Sequence, residues 1–362
     1  MAAFTGQLNS NEIFAGLFNM ILSQENFADN IADTKASLVD MSRVDGGMYG
    51  DTKLYYSTDA LHSRAWGNDA EGPKLLQAAR PSAPQCQAIV LDKFRIIELT
   101  TDEYMSKRAW GTEFAFSQFN SIMKGWISET KRIYDSTTFN AFLGTVESNV
   151  GKQEIEIDVT TAVGDATGEA KARIEGQVIG ENVALLLVNL TDVSRDYNDY
   201  GNIRSYYNDD LVFVWNSDAM AKIEHRDMPT IYHKDIVDRF GEYTLPGRYF
   251  GTVNEDGKAG DGATIYSLVE QDLVGTDGKT YQLFAGELVP KVCTAPAGTS
   301  YTKDDKILFK VMHKRSIPFM SGMEARGSFY NIQSVNTKDV LVWGHNTLEY
   351  LKNYPMITVR QK

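Results

Sequence analysis

Cysteine is nearly absent: Cys86 and Cys293 are the two in a chain of 362 residues. That excludes a disulfide framework and a cysteine-rich zinc site. Basic charge is short as well, with 36 Lys and Arg against 48 Asp and Glu and a net charge of −12. A domain that grips nucleic acid by its phosphates carries a basic excess, so tight phosphate binding is excluded as the main task. The longest apolar run, residues 183–188, falls far below the ~20 residues that span a bilayer. No basic residue precedes Lys35. The start therefore lacks the positive region of a secretory signal and the arginines of a transit peptide. The chain is expected to stay where it is made, with reduced thiols. What is present is ordinary packed protein: 43% hydrophobic and 23% charged residues, enough for about two domains at ~150 residues each.

Residues 10–31 read as an amphipathic helix. Ile13, Leu17 and Ile21 share one side with Phe14, Phe18 and Leu22, at spacings of three and four. The stripe serves either a helix docked on its own domain, the commoner use, or an arm docked on a neighbouring subunit. Residues 32–109 differ in texture. Turn signals at Asp45-Gly46-Gly47, Gly50-Asp51, Gly67-Asn68-Asp69 and Glu71-Gly72-Pro73 separate strand-like Lys53-Leu54-Tyr55-Tyr56 from Ala88-Ile89-Val90-Leu91. This predicts a long β-hairpin with an irregular tip near residues 62–82. Such a hairpin is unstable in water unless something packs against it.

Proline is missing from residues 85–228. Within that stretch, residues 110–146 carry the strongest helical pattern. Phe119, Ile122, Met123, Trp126, Ile127, Ile133, Tyr134 and Phe142 recur at three, four and seven, predicting a helix on the order of 50 Å long. Strict alternation predicts a strand over 152–162, and residues 168–190 read as a helix burying Ala172, Val178, Ile179, Val183 and Leu186. Asp210-Leu211-Val212-Phe213-Val214-Trp215 reads as a strand covered on both faces, with Asn216-Ser217-Asp218 capping a short helix through Ile223. Residues 241–305 are rich in turns and short strands. Val340-Leu341-Val342-Trp343 and Met356-Ile357-Thr358-Val359 close the chain as strands. The class is mixed α+β.

Sites for chemistry are few. None of His62, His225, His233, His313 and His345 stands in a metal-ligand spacing. Gly275-Thr276-Asp277-Gly278-Lys279-Thr280 ends like a phosphate loop, but Leu273 stands where the first glycine is required, and Asp277-Gly278 is better explained as a hairpin turn. Asp196-Tyr197-Asn198 with Gly201 hints at a calcium loop. Tyr200 and Tyr207 occupy its ligand positions, which rejects it. No metal or cofactor site is expected. The 18 tyrosines and 17 phenylalanines are the more telling excess. Many fall outside the expected core, at Tyr49, Tyr55, Tyr56, Tyr206, Tyr207 and Tyr330, and such aromatics favour protein–protein contact surfaces.

This order of parts resembles the major capsid protein of tailed bacteriophages, the Hong Kong 97-like fold. The resemblance rests on layout: arm, extended hairpin, spine helix, the Asp-Leu-Val-Phe-Val-Trp strand leading into Asn-Ser-Asp, a turn-rich β region and a final strand pair. It implies an N-terminal arm over 1–36, an extended loop over 37–100 and a peripheral domain with the spine helix and a β-sheet over 101–165. It further implies an α/β axial domain over 166–325, with the turn-rich β region near 241–305, and return strands to the peripheral domain over 326–362. The function implied is structural and not enzymatic. Copies would assemble as pentamers and hexamers into an icosahedral shell around double-stranded DNA, which the acidic chain contacts weakly. Scaffolding, portal and decoration proteins are further partners, and no membrane is. The place implied is the virion, assembled in the host cytoplasm. Phe14 and Phe18 on the arm, Tyr55, Tyr56 and Trp66 on the hairpin, and Arg64 and Lys74 at its basic tip are the candidate contacts with neighbours. A bacterial encapsulin-like nanocompartment shell is the alternative within the fold. A soluble hydrolase using paired carboxylates is the alternative outside it.

Overall fold

A computed structural model of the chain describes residues 37–48, 50–63, 80–102, 113–219, 243–256 and 263–362. The predicted arm helix over 10–31 and most of the hairpin tip, including Phe14, Phe18, Arg64, Trp66 and Lys74, lie outside them. The chain divides into two units. Of the described residues, the first takes those within 37–51, 91–137 and 319–347, and the second those within 52–90, 138–318 and 348–362.

The first unit contains α1 (Ser37–Ser42), β1 (Arg43–Asp45), most of β3 (Gln85–Asp102), the first part of α2 (Glu113–Thr145), β13 (Phe319–Asn331) and β14 (Asn336–Asn346). Its strands run in the order β1-β13-β14-β3. β13 and β14 form a long antiparallel hairpin, and β14 continues antiparallel onto β3, with Val340 opposite Glu98 and Trp343 opposite Arg95. The helix follows its predicted span closely. Ile127 and Tyr134, seven residues apart, pack with Leu341 and Trp343 of the sheet. Trp126, expected on the buried stripe, is instead 41% exposed. Each helical residue turns about 100° from the last, so with Ile127 facing the sheet its predecessor is rotated out of the contact.

Polar contacts fasten the helix as well. The Tyr134 hydroxyl lies 2.7 Å from His345 Nε2 and accepts from Arg95 Nε at 3.1 Å. His345 Nδ1 faces the Asn346 carbonyl at 2.8 Å, so Nδ1 carries the proton and Nε2 accepts from Tyr134. Phe319 stacks on the imidazole at 5.6 Å. Burial, aided by Arg95, holds His345 below its usual pKa.

The second unit is built on a five-stranded sheet in the order β4-β15-β12-β5-β6, from β4 (Glu154–Ile157), β5 (Leu211–Asn216), β6 (Tyr243–Leu245), β12 (Ile307–His313) and β15 (Met356–Gln361). All six residues of β5 are buried, as the unbroken apolar run predicts. α3 (Val159–Val163) and α4 (Gly168–Thr191) cover one face, with Val163, Ile179, Val183, Leu186 and Leu190 packed against Phe213, Phe309 and Ile357. The strand expected over 152–162 stops at Ile157, because the Asp158 carboxylate accepts the Thr161 N–H at 2.9 Å and caps α3. Residues 217–219 are helical, and the remainder of the helix expected through Ile223 lies outside the described residues.

The turn-rich segment is β-structured as expected. β7 (Gly251–Val253), β8 (Ile265–Ser267) and β11 (Ser300–Lys303) form one sheet, and β9 (Gln271–Val274) pairs with β10 (Thr280–Leu283). Of residues 326–362, β14 belongs to the first unit and β15 to the second. β15 pairs with β12 and β4, so its apolar run fills the second unit's sheet.

Candidate functional site

The hairpin is the most distinctive candidate. β2 (Thr52–Ser57) pairs antiparallel with the first six residues of β3, from Thr52 opposite Val90 to Ser57 opposite Gln85. Alternation turns Lys53, Tyr55 and Ser57 inward and Thr52, Leu54 and Tyr56 outward. Of the two candidate tyrosines, Tyr56 is 65% exposed. Tyr55 is half-buried, and burial raises the pKa of its phenol. They point to opposite faces, so one flat neighbour cannot use both.

A polar clamp holds the base of this hairpin within the second unit. The Ser57 hydroxyl donates to Asn353 Oδ1 at 2.6 Å and accepts from Asn202 Nδ2 at 2.7 Å. Arg204 donates to the Thr58 carbonyl at 2.7 Å and to Ser57 Oγ and Asn353 Oδ1 at 3.2 Å each. Asp59 accepts the Ile203 N–H at 3.0 Å and Arg195 at 2.8 Å. These bonds, the backbone one first, pull its carboxyl down to about 2. On β3, Gln87 donates to the Tyr350 carbonyl and accepts the Lys352 N–H. The 198–202 loop that presents Asn202 is closed by the buried Asn198 amide, which bonds both the N–H and the carbonyl of Asn202. Gly201 supplies the left-handed φ of 65° there. This loop is the rejected calcium motif, and its side chains are spent on shape.

Nothing in this clamp is arranged for bond making. Among the described residues no group of three or more His, Cys, Asp or Glu side chains can hold a metal ion. No helix among them is long and apolar enough to cross a membrane. Gly275-Thr276-Asp277-Gly278 is the turn between β9 and β10, with Gly278 at a φ of 77° and Asp277 Oδ1 accepting the Lys279 N–H. His313 stacks on Tyr354 at 4.3 Å, and burial lowers its pKa. Both observations make it a packed side chain. His225 and His233 lie outside the described residues.

The clamp was not visible in the sequence. Ser57, Asn202, Arg204 and Asn353 come from three distant segments and share no spacing. Exposed apolar residues away from the hairpin were missed too. Leu185 and Val188 stand 63% and 66% exposed on the outer side of α4, and Phe329 and Ile332 stand 64% and 80% exposed at the β13–β14 tip.

No protein-family model matches the sequence, and no curated protein matches it. Solved structures do match the fold. The chain is similar to one in the capsid structure of Staphylococcus phage Andhra, at 10% sequence identity and a TM-score of 0.57, over 89% of this chain and 83% of that one. It is similar to one in the structure of the head fiber and inner core protein gp22 of native bacteriophage P68, at 11% identity and a TM-score of 0.57, over the same shares of the two chains. The chain thus has a mixed α+β fold that matches, over most of its length, the fold of a chain in a phage capsid structure.

Proposed function

We propose that this chain is the structural major capsid protein of a tailed bacteriophage, assembling as pentamers and hexamers into an icosahedral shell around double-stranded DNA. The observation that carries the reading is the fold likeness over most of both chains to a chain in a phage capsid structure and to one in a phage head-fiber and inner-core structure. The first unit is then the peripheral domain, with α2 as its spine. The second is the axial domain, which gathers at the five-fold and six-fold centres. Residues 60–84, beyond the clamped base, lie across a neighbouring subunit, with Trp66, Arg64 and Lys74 as contacts and the exposed Tyr56 beside them. Phe14 and Phe18 bind a neighbour through the arm.

Physical considerations support the same reading. A net charge of −12 lets packed duplex slide past the shell with weak contacts. A polar clamp at the hairpin base sets the direction in which the loop leaves its subunit. The ordering cost of the loop is then offset by burial on the neighbour. The protein acts by packing, without catalysis, in the virion after assembly in the host cytoplasm. Sedimentation of the chain expressed alone tests this. Particles or capsomers are expected, and a stable monomer or small dimer at all concentrations would refute it. Particles that enclose an enzyme in place of DNA in the native host would identify a nanocompartment instead.

A further inference from the structure

In the first unit, β1 covers the outer edge of β13 only at Phe319, Met320 and Ser321. A register shift between Gly322 and Ala325, with Met323 at a φ of 51°, then takes the strand past β1. From residue 324 to residue 331, no strand among the described residues lies on that edge. Residues 323–326 and 328–331 are exposed. An open edge offers its backbone N–H and carbonyl groups to any extended chain, and proteins guard one with charged side chains, proline or bulges. Residues 322–331 contain no lysine or proline, the bulge lies before residue 325, and Glu324 and Arg326 face each other at 3.3 Å, so residues 327–331 carry no guard. The strand ends in a tip that carries Phe329, Tyr330 and Ile332, each more than half exposed.

Charge selects what can cover it. Residues 327–337 include no Asp, Glu, Lys or Arg. The nearby acids are largely answered. Glu324 meets Lys131 at 2.6 Å and Arg326 at 3.3 Å, and Glu98 meets Lys338 at 2.8 Å. Asp339 is buried and accepts the Ser328 hydroxyl. Two copies of a chain with net charge −12 repel over most of their surfaces, and they meet at least cost where the local charge is close to balanced. A polyanion finds no cationic cluster here, and a strongly basic partner would gain little from so neutral a patch.

We propose that the outer edge of β13 and the β13–β14 tip form a contact surface for a second copy of this chain, an inference that rests on the shell reading above. The contact adds main-chain hydrogen bonds along the edge and buries Phe329 and Ile332 at its end. Particles assembled from this chain alone provide the test. The amides of residues 323–332 should exchange at least about tenfold more slowly in particles than in free subunits. The variant Ile332→Glu should raise the concentration needed for assembly by about tenfold or more and leave the subunit melting temperature unchanged, because its side chain is exposed. Particles whose β13 amides exchange as fast as those of free subunits would overturn this contact and leave the shell reading standing. So would protection that appears only after a different protein is added. A chain that never assembles overturns both.

Discussion

Lys310 makes the sharpest prediction about stability. It lies at the centre of the second unit's sheet, opposite Val214 on β5 and Thr358 on β15, with no exposed surface. Its ammonium donates to the Val146 carbonyl just beyond the end of α2. Glu147 attracts it, but desolvation outweighs that attraction and lowers its pKa from 10.5 to about 7. Between those two values the unfolded chain holds more protons than the folded one, so stability must rise with pH there and stay flat below pH 7. One pH unit inside the window is worth about 1.4 kcal/mol, so moving from about pH 7 to about pH 9 should add on the order of 2 kcal/mol. The whole burden at neutral pH is roughly 5 kcal/mol. Lys310→Met keeps the length and removes the charge. It gives up one hydrogen bond, worth about 1–3 kcal/mol when the partner is left buried. The variant should therefore be more stable than the natural chain at neutral pH, by about 2 kcal/mol or more, and should lose the slope above it. Urea unfolding of subunits followed by tryptophan fluorescence at several pH values measures both. An unchanged slope in the variant would show that Lys310 is not the group responsible.

Other perturbations read the remaining contacts. His345 is held below its usual 6.5, so its contribution is fully present above that pH and is lost as pH falls through the window beneath it. His345→Gln should flatten that acid limb in thermal melts, while Asp135, whose pKa burial raises, works in the opposite direction and should remain. Arg204→Ala removes the bonds to Thr58, Ser57 and Asn353 and should cost about 1–3 kcal/mol, with faster amide exchange in β2 and the first residues of β3. Trp126→Asp should cost no more than about 2 kcal/mol by chemical denaturation, because only part of the indole is covered, against several for a fully buried unpaired charge. A large loss would mean that the indole is buried. Removal of residues 1–31 should leave a folded subunit by circular dichroism but no closed shells by electron microscopy.

The long elements were legible because periodicity writes them plainly. The α2 pattern gave nearly its full span, and the run around Phe213 marked a strand buried on both faces. Single-residue facing was less legible: Trp126 and Ile127 are neighbours in one apolar pattern, and only the sheet decides which of them is covered. A capping aspartate ended a strand that alternation alone would have extended, since Asp158 alternates as well as a strand residue does. The clamp could not be read at all. Hydrogen bonds between Ser57, Asn202 and Asn353 depend on three loops meeting. The open edge of β13 was equally hidden, because an edge is a property of neighbours and not of the strand's own residues.

The most direct test of the shell reading is electron cryomicroscopy of particles made by this chain alone. The account predicts a closed icosahedral shell of pentamers and hexamers, in which residues 60–84 of each copy lie over the adjacent copy while Ser57, Asn202, Arg204 and Asn353 stay clamped in their own. A chain that stays a monomer or dimer at all concentrations, or a shell in which that loop folds back on its own subunit, would contradict it.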